Sequence, residues 1–297
     1  MKKIKGITLI SLVITIVVLL ILAGVAISIG VDEESVLEKT ELAKYNHESA
    51  RLKEDVTLVM ANKEPTKSIQ ENLKQIQDIK VEQIQDDVYY VKRNEYTTTV
   101  YEDGDIIEGA VDIWDGTTSE VPVLDDDLNW NIHNGAQLKF LADFVNNGNA
   151  LTEFQKELVA AKGYNESDMV ITDTTTVYLR NNLDLGARHE NGELISGKQW
   201  TKIGAAVNED ATDYFNGIFE GNGYCVKGLY IQATNDLGLF GVATNEIRNL
   251  TIKDGYVEGT SYVGAVAAYI SGTVINCHNV NTTIKGTIAV GGIAGRH

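Results

Sequence analysis

Few residues of this chain stand at spacings that perform chemistry. Paired carboxylates about 5 to 10 Å apart could cleave a glycosidic bond, and Asp173, Asp184, Glu209, Asp210 and Asp213 supply the raw material. Spacing alone brings no two of them together, and a solvated surface is the ordinary place for such acids. Cys277 stands beside His278, but neighbours on a strand face opposite ways, so the two do not form a nucleophile and its base. His47-Glu48 lacks the second histidine of a zinc-binding helix, and Asp125, Asp126 and Asp127 lack the alternation and glycine of a calcium loop. No Ser-His-Asp or phosphate-loop pattern occurs. The expectation is a protein that is not an enzyme, without catalytic, metal or cofactor residues.

The 297 residues carry a formal charge of −17, which would repel the phosphate backbone and argues against a nucleic-acid partner. Cys225 and Cys277 are too few for a disulfide framework and read as small apolar side chains, with their pairing left open.

The elements that must position these groups begin with an uncharged run, Ile7 to Ile29, after Lys2, Lys3 and Lys5. As a helix it reaches roughly 35 Å, enough to cross a bilayer. The lysines orient it with the N-terminus cytoplasmic and the rest extracellular, as a single-pass cell-membrane protein. The string K-G-I-T-L-I-S-L-V-I from Lys5 resembles the cleavage and methylation segment of type IV prepilins. That resemblance implies cutting between Gly6 and Ile7 by a prepilin peptidase, and it implies other pilin-like subunits as partners in a filament. Ser11 stands where the family carries glutamate, so processing like a pilin does not carry over to assembling like one.

Residues 30–64 keep helical spacing through Leu37, Tyr45, Leu52, Val56, Val59 and Met60, which predicts a helical stalk with Glu41–Lys44 and Arg51–Asp55 paired on its exposed side. Gly30 could kink it, Asp32 cap its restart and Pro65 end it. Residues 65–112 read as a small α+β pilin-like head, a helix over Ser68 to Asp78 followed by strands that turn at Asp103-Gly104. Residues 113–127 read as an acidic linker.

From Asn222 onward the chain repeats. Asn249 and Asn276, Gly259 and Gly286, and Gly264 and Gly291 each stand 27 residues apart, with Leu250 against Cys277 and Val257 against Ile284 in the same register. Such a period predicts a mainly β, parallel β-helix-like solenoid over 128–297, with coils of about 27 residues. Helices are expected near Ala136 to Val145 and Thr152 to Ala161. The strings G-L-F-G from Gly238 to Gly241, Y-V-G-A-V-A-A-Y from Tyr262, and V-G-G-I-A-G from Val290 resemble the GLUG motif of bacterial surface proteins and adhesins. Gly238, Gly241, Gly264, Gly291 and Gly292 are its small residues, expected at tight corners and close approaches. The chain stops inside a motif, which points to a truncated product. Together these features predict a membrane-anchored, surface-displayed adhesion or interaction protein that recognises an extracellular glycan or protein. Tyr214, Tyr224, Tyr256 and Tyr262 are its candidate contacts, with core or corner packing the equal alternative for each. The alternatives are a carbohydrate-active enzyme and a purely structural spacer.

Overall fold

A computed structural model of the chain describes residues 33–85, 87–204 and 213–297. The chain divides into two compact units between Ala110 and Val111.

The first unit is built on helix α1, Glu33–Ala61. Leu52, Val56 and Met60 recur every four residues, so one stripe of its C-terminal half is apolar and buried. Helix α2, Ile69–Leu73, starts at a capping box in which Ser68 Oγ accepts from the Glu71 N–H and the Glu71 carboxylate accepts from the Ser68 N–H. Strands β1 (Lys80–Gln85), β2 (Val88–Arg93), β3 (Tyr96–Tyr101) and β4 (Ile106–Glu108) follow as an antiparallel meander in that order. The helices and sheet share one core, in which Leu52, Val56, Met60, Ile69 and Leu73 meet Tyr89, Val91, Tyr96 and Val100.

In the second unit, β5 (Val123–Leu124) pairs antiparallel with β6 (Trp130–Ile132), and helices α3 (Gly135–Asn146) and α4 (Glu153–Lys162) follow. Asn134 caps α3 by accepting from the Gln137 N–H, Thr152 and Gln155 form a capping box on α4, and Gly163 ends it in the left-handed region at φ 85°. Phe140 and Phe144 of α3 lie against Trp130, ring centroids 6.0 and 5.1 Å away. The strands then run β7 (Thr176–Leu179), β8 (Leu183–Asp184), β9 (Arg188–Glu190), β10 (Glu193–Ser196), β11 (Ile218–Glu220), β12 (Cys225–Lys227), β13 (Tyr230–Gln232), β14 (Asn235–Leu237) and β15 (Phe240–Ala243). They continue as β16 (Glu246–Arg248), β17 (Thr251–Lys253), β18 (Tyr256–Glu258), β19 (Ser261–Val263), β20 (Ala267–Ile270), β21 (Thr273–Ile275), β22 (His278–Val280), β23 (Thr283–Lys285), β24 (Ile288–Val290) and β25 (Ala294–Arg296).

Parallel pairing in register stacks like on like. Val177, Phe219, Ile247 and Val274 form one apolar column, Leu183, Val226 and Ile252 a second, Ile231, Val257 and Ile284 a third. Because successive side chains alternate, each column points inward while its neighbours on the same strands point out. The inward sets join α3 and Trp114, Trp130 and Trp200 in one core.

Four sequence expectations are corrected by this architecture. Among the described residues no helix is long and apolar enough to cross a membrane, which overturns the single-pass membrane placement. The segment 7–29 on which it rested lies outside the described residues, as do Gly6, Ser11, Gly30 and Asp32. The helical stalk is not one, because α1 contributes Leu52, Val56 and Met60 to a core and its Asp55 pairs with Arg93 of β2 at 2.8 Å, not with Arg51. Nor do the strands close into a solenoid. They are two to four residues long between turns, so ladder bonds join them only within separate sheets of two, six, four, three, three and three strands, and β9–β10 forms a hairpin outside the stacking. Finally, residues 113–127 belong to the second unit: the Trp114 N–H donates to the Asp184 carbonyl, its ring lies edge-on to Trp200 at 5.1 Å, and Val121 is buried.

Candidate functional site

Of the acids singled out as possible catalysts, one is committed to structural bonds. Asp184 is fully buried and accepts from both terminal nitrogens of Arg188, at 3.1 and 2.8 Å, and from the Gly186 N–H. Asp173 is exposed, Asp213 is half-buried, and Glu209 and Asp210 lie outside the described residues. Asp125 clamps its own turn, accepting from the Asp127 and Asn129 N–H groups. Cys277 directs its thiol to the Ile247 and Ile275 carbonyls, and burial pushes its pKa up, which suits an inert side chain. His278 meets Asn276 at 3.1 Å, and Cys225 and Cys277 are not joined by a disulfide.

The repeat glycines divide into two kinds. A Cβ on Gly238 would come within 2.9 Å of the Gly264 carbonyl and 3.0 Å of the Ala267 main chain, while on Gly241, Gly264 or Gly291 it would overlap the carbonyls of Gly204, Ala267 and Ala294 in turn. None of these four is at positive φ, so close approach of main chains, not a left-handed corner, excludes a side chain. Gly292 has nothing within 4 Å of that position.

One set of left-handed corners, recurring along the repeat, is occupied by asparagine. Asn222, Asn249 and Asn276 have φ of 53°, 54° and 49°, a region this side chain tolerates best after glycine. They are linked as a ladder: Asn222 donates to the Leu179 carbonyl, Asn249 to Glu220, and Asn276 to Asn249 Oδ1 at 2.8 Å. Glu220 is the acceptor at its centre, 7% exposed and taking a further bond from Arg248 Nε at 2.5 Å. Burial alone would raise its pKa, but the donors Asn249, Arg248 and the Asn222 N–H outweigh that and hold it below the ordinary 4.5. The charged form therefore stabilises the fold above about pH 4.5, and this contribution disappears as pH falls through the lowered folded value. A Glu220→Gln variant should show a flatter acid limb than the parent when melting temperature is followed from pH 6 to 3. Parallel curves would show that the ladder is not charge-dependent.

Of the four candidate tyrosines none is fully exposed. Tyr256 is 2% exposed and stacks on Tyr230 at 5.5 Å and 19°, because the two are register partners on adjacent strands; the β9–β10 hairpin lies near them, with His189 5.4 Å from Tyr256. Tyr214, Tyr224 and Tyr262 are half-buried. Tyr262 is joined by two residues that the sequence reading passed over. The Arg296 guanidinium lies 5.6 Å from the ring centroids of both Tyr262 and Tyr269, and its Nη1 donates to the Tyr262 hydroxyl at 3.2 Å. The register explains the grouping, since Tyr269 and Arg296 are direct cross-strand partners on β20 and β25. Two rings that share one cation offer stacking faces and hydrogen-bond donors together, as recognition surfaces do.

No family model and no solved structure matches the chain. Halomucin of Haloquadratum walsbyi (strain DSM 16790 / HBSQ001) is 32% identical over 105 residues, which is 33% of this chain. The chain spans about 1% of the length of that curated relative, and it is similar to it over this stretch alone.

Proposed function

We propose that the chain is an adhesion or interaction protein whose second unit presents a recognition surface at Tyr262, Tyr269 and Arg296. The observation that carries this reading is the arrangement of that cluster: two half-buried aromatic rings fixed by a shared guanidinium on a frame whose buried acids, Asp184 and Glu220, are tied up in structural pairs. Tyrosine and arginine are the side chains that most often carry binding energy at interfaces. The similarity of a third of this chain to a hundredth of a much longer protein fits a module that can stand within a larger chain.

Incubating the whole chain with glycan and extracellular-matrix protein arrays should give specific binding that Tyr269→Ala weakens about tenfold or more, as loss of a central aromatic contact does. Uniformly negative arrays, or binding indifferent to Tyr262→Ala, Tyr269→Ala and Arg296→Ala, would remove the proposal.

A further inference from the structure

Ile231 and Val257 point into the core, so alternation along β13 and β18 turns their neighbours Tyr230 and Tyr256 outward. The two rings are nonetheless 3% and 2% exposed. On that outer side the β9–β10 hairpin, which pairs with no strand of the stack, packs against them. Its Leu194 joins the tyrosines and Ala187 in a small cluster separate from the main core, and His189 lies 5.4 Å from Tyr256 and 6.2 Å from Tyr230. Asn191 and Gly192, both at positive φ, form the hairpin turn. A Cβ on Gly192 would lie 2.5 Å from the Tyr256 hydroxyl, and the Gly192 carbonyl accepts from the Tyr230 hydroxyl at 2.9 Å.

This cover is lightly held. A two-stranded hairpin is marginal by itself, and here His189 and its register partner Leu194 supply the contact while Glu190, Glu193, Ile195 and Ser196 stay exposed. Both strands spring from one point: Gly186 and Gly197 are at φ 76° and 85°, and a Cβ on Gly197 would overlap the Gly186 carbonyl. Arg188 ties that root to the buried Asp184. The rings have supports of their own. The Tyr256 hydroxyl donates to Glu258 Oε2 at 2.5 Å and accepts from Lys285 Nζ at 2.9 Å, and Glu258 takes a further bond from Gln232 at 3.0 Å. Those three partners stand on β18, β23 and β13, so the stacked pair does not depend on the hairpin for its arrangement.

From this geometry we infer that the hairpin is a strap that opens as a unit about Gly186 and Gly197, uncovering the Tyr230–Tyr256 pair while the stack stays folded. Opening gives up one small apolar cluster and the Gly192 hydrogen bond and leaves the main core intact, which places it among local openings that cost less than global unfolding. The strap is distinct from the Tyr262 cluster and does not rest on it. Hydrogen–deuterium exchange and hydroxyl-radical footprinting of the whole chain test it. Amides of residues 189–196 should exchange about tenfold or more faster than those of β13 and β18. Oxidation of Tyr230 and Tyr256, corrected for intrinsic reactivity, should exceed that of the core residue Phe219. L194A removes the apolar grip and should speed both readouts about tenfold, with exchange in β13 and β18 unchanged. Hairpin amides as slow as those of β18, tyrosines no more reactive than Phe219, or an L194A chain in which β13 and β18 accelerate equally would each overturn it, since the hairpin would then open only with the stack.

Discussion

Phe219→Ala should cost the second unit about 3–5 kcal/mol of unfolding free energy, the usual loss for a phenylalanine removed from a core that cannot collapse onto the space. Phe219 is completely buried on β11, with Val177 and Ile247 as register partners on either side. Its ring lies 5.1 Å from Phe240 and 6.2 Å from Phe215, and those two are 5.2 Å apart, so three rings share one volume. The partners above and below are held by ladder bonds and cannot move in to fill the cavity. All three tryptophans, Trp114, Trp130 and Trp200, lie in this unit's core, so their fluorescence in a urea titration reports its unfolding without contribution from the first unit. Phe219→Leu, which keeps most of the volume, should lose about 1.5 kcal/mol or less. A loss below about 1 kcal/mol for Phe219→Ala would mean that the aromatic trio is not the packed centre described.

What the sequence made legible here was local. Thr152, Gln155 and Gly163 announce α4 at both ends because caps act within a few residues, and the spacing of Asn249 and Asn276 reflects a left-handed corner that every register of this stack must turn. Long-range choices were not legible. Nothing near Trp114 says that it docks on Trp200, so residues 113–127 looked like a linker. Arg51 and Asp55 fit a helical pair by spacing, yet Arg93 reaches Asp55 across the sheet and wins. Tyr256 was open to two readings, an exposed contact or a packed ring, and stacking on Tyr230 beside the β9–β10 hairpin buries it. The tyrosine and arginine cluster was half visible: Tyr262 was singled out, whereas Tyr269 and Arg296 become its neighbours only through the pairing of β20 with β25.

The repeat glycines give the second large effect, with a control inside the same motif. Gly264→Ala should destabilise the second unit by about 3 kcal/mol or prevent folding, because its Cβ would overlap the Ala267 carbonyl and come within 2.7 Å of the Ile293 carbonyl and 2.8 Å of Ala294 Cα. These are main-chain atoms, two of them belonging to the neighbouring pass of the chain, and main chain held by ladder bonds cannot rotate aside as a long side chain would. Since Gly264 is not at positive φ, the cost is steric and not conformational, so Gly264→Ser should be at least as damaging as Gly264→Ala. Gly292→Ala differs only in surroundings. With nothing within 4 Å and no positive φ to forbid a side chain, it should stay within about 0.5 kcal/mol of the parent, or gain slightly from a less flexible unfolded chain. Urea midpoints for the two alanine variants decide the matter. A Gly264→Ala chain as stable as the parent would show that the two passes do not approach as closely as described, and an equally damaged Gly292→Ala would show that the glycines serve the backbone's conformation and not its proximity.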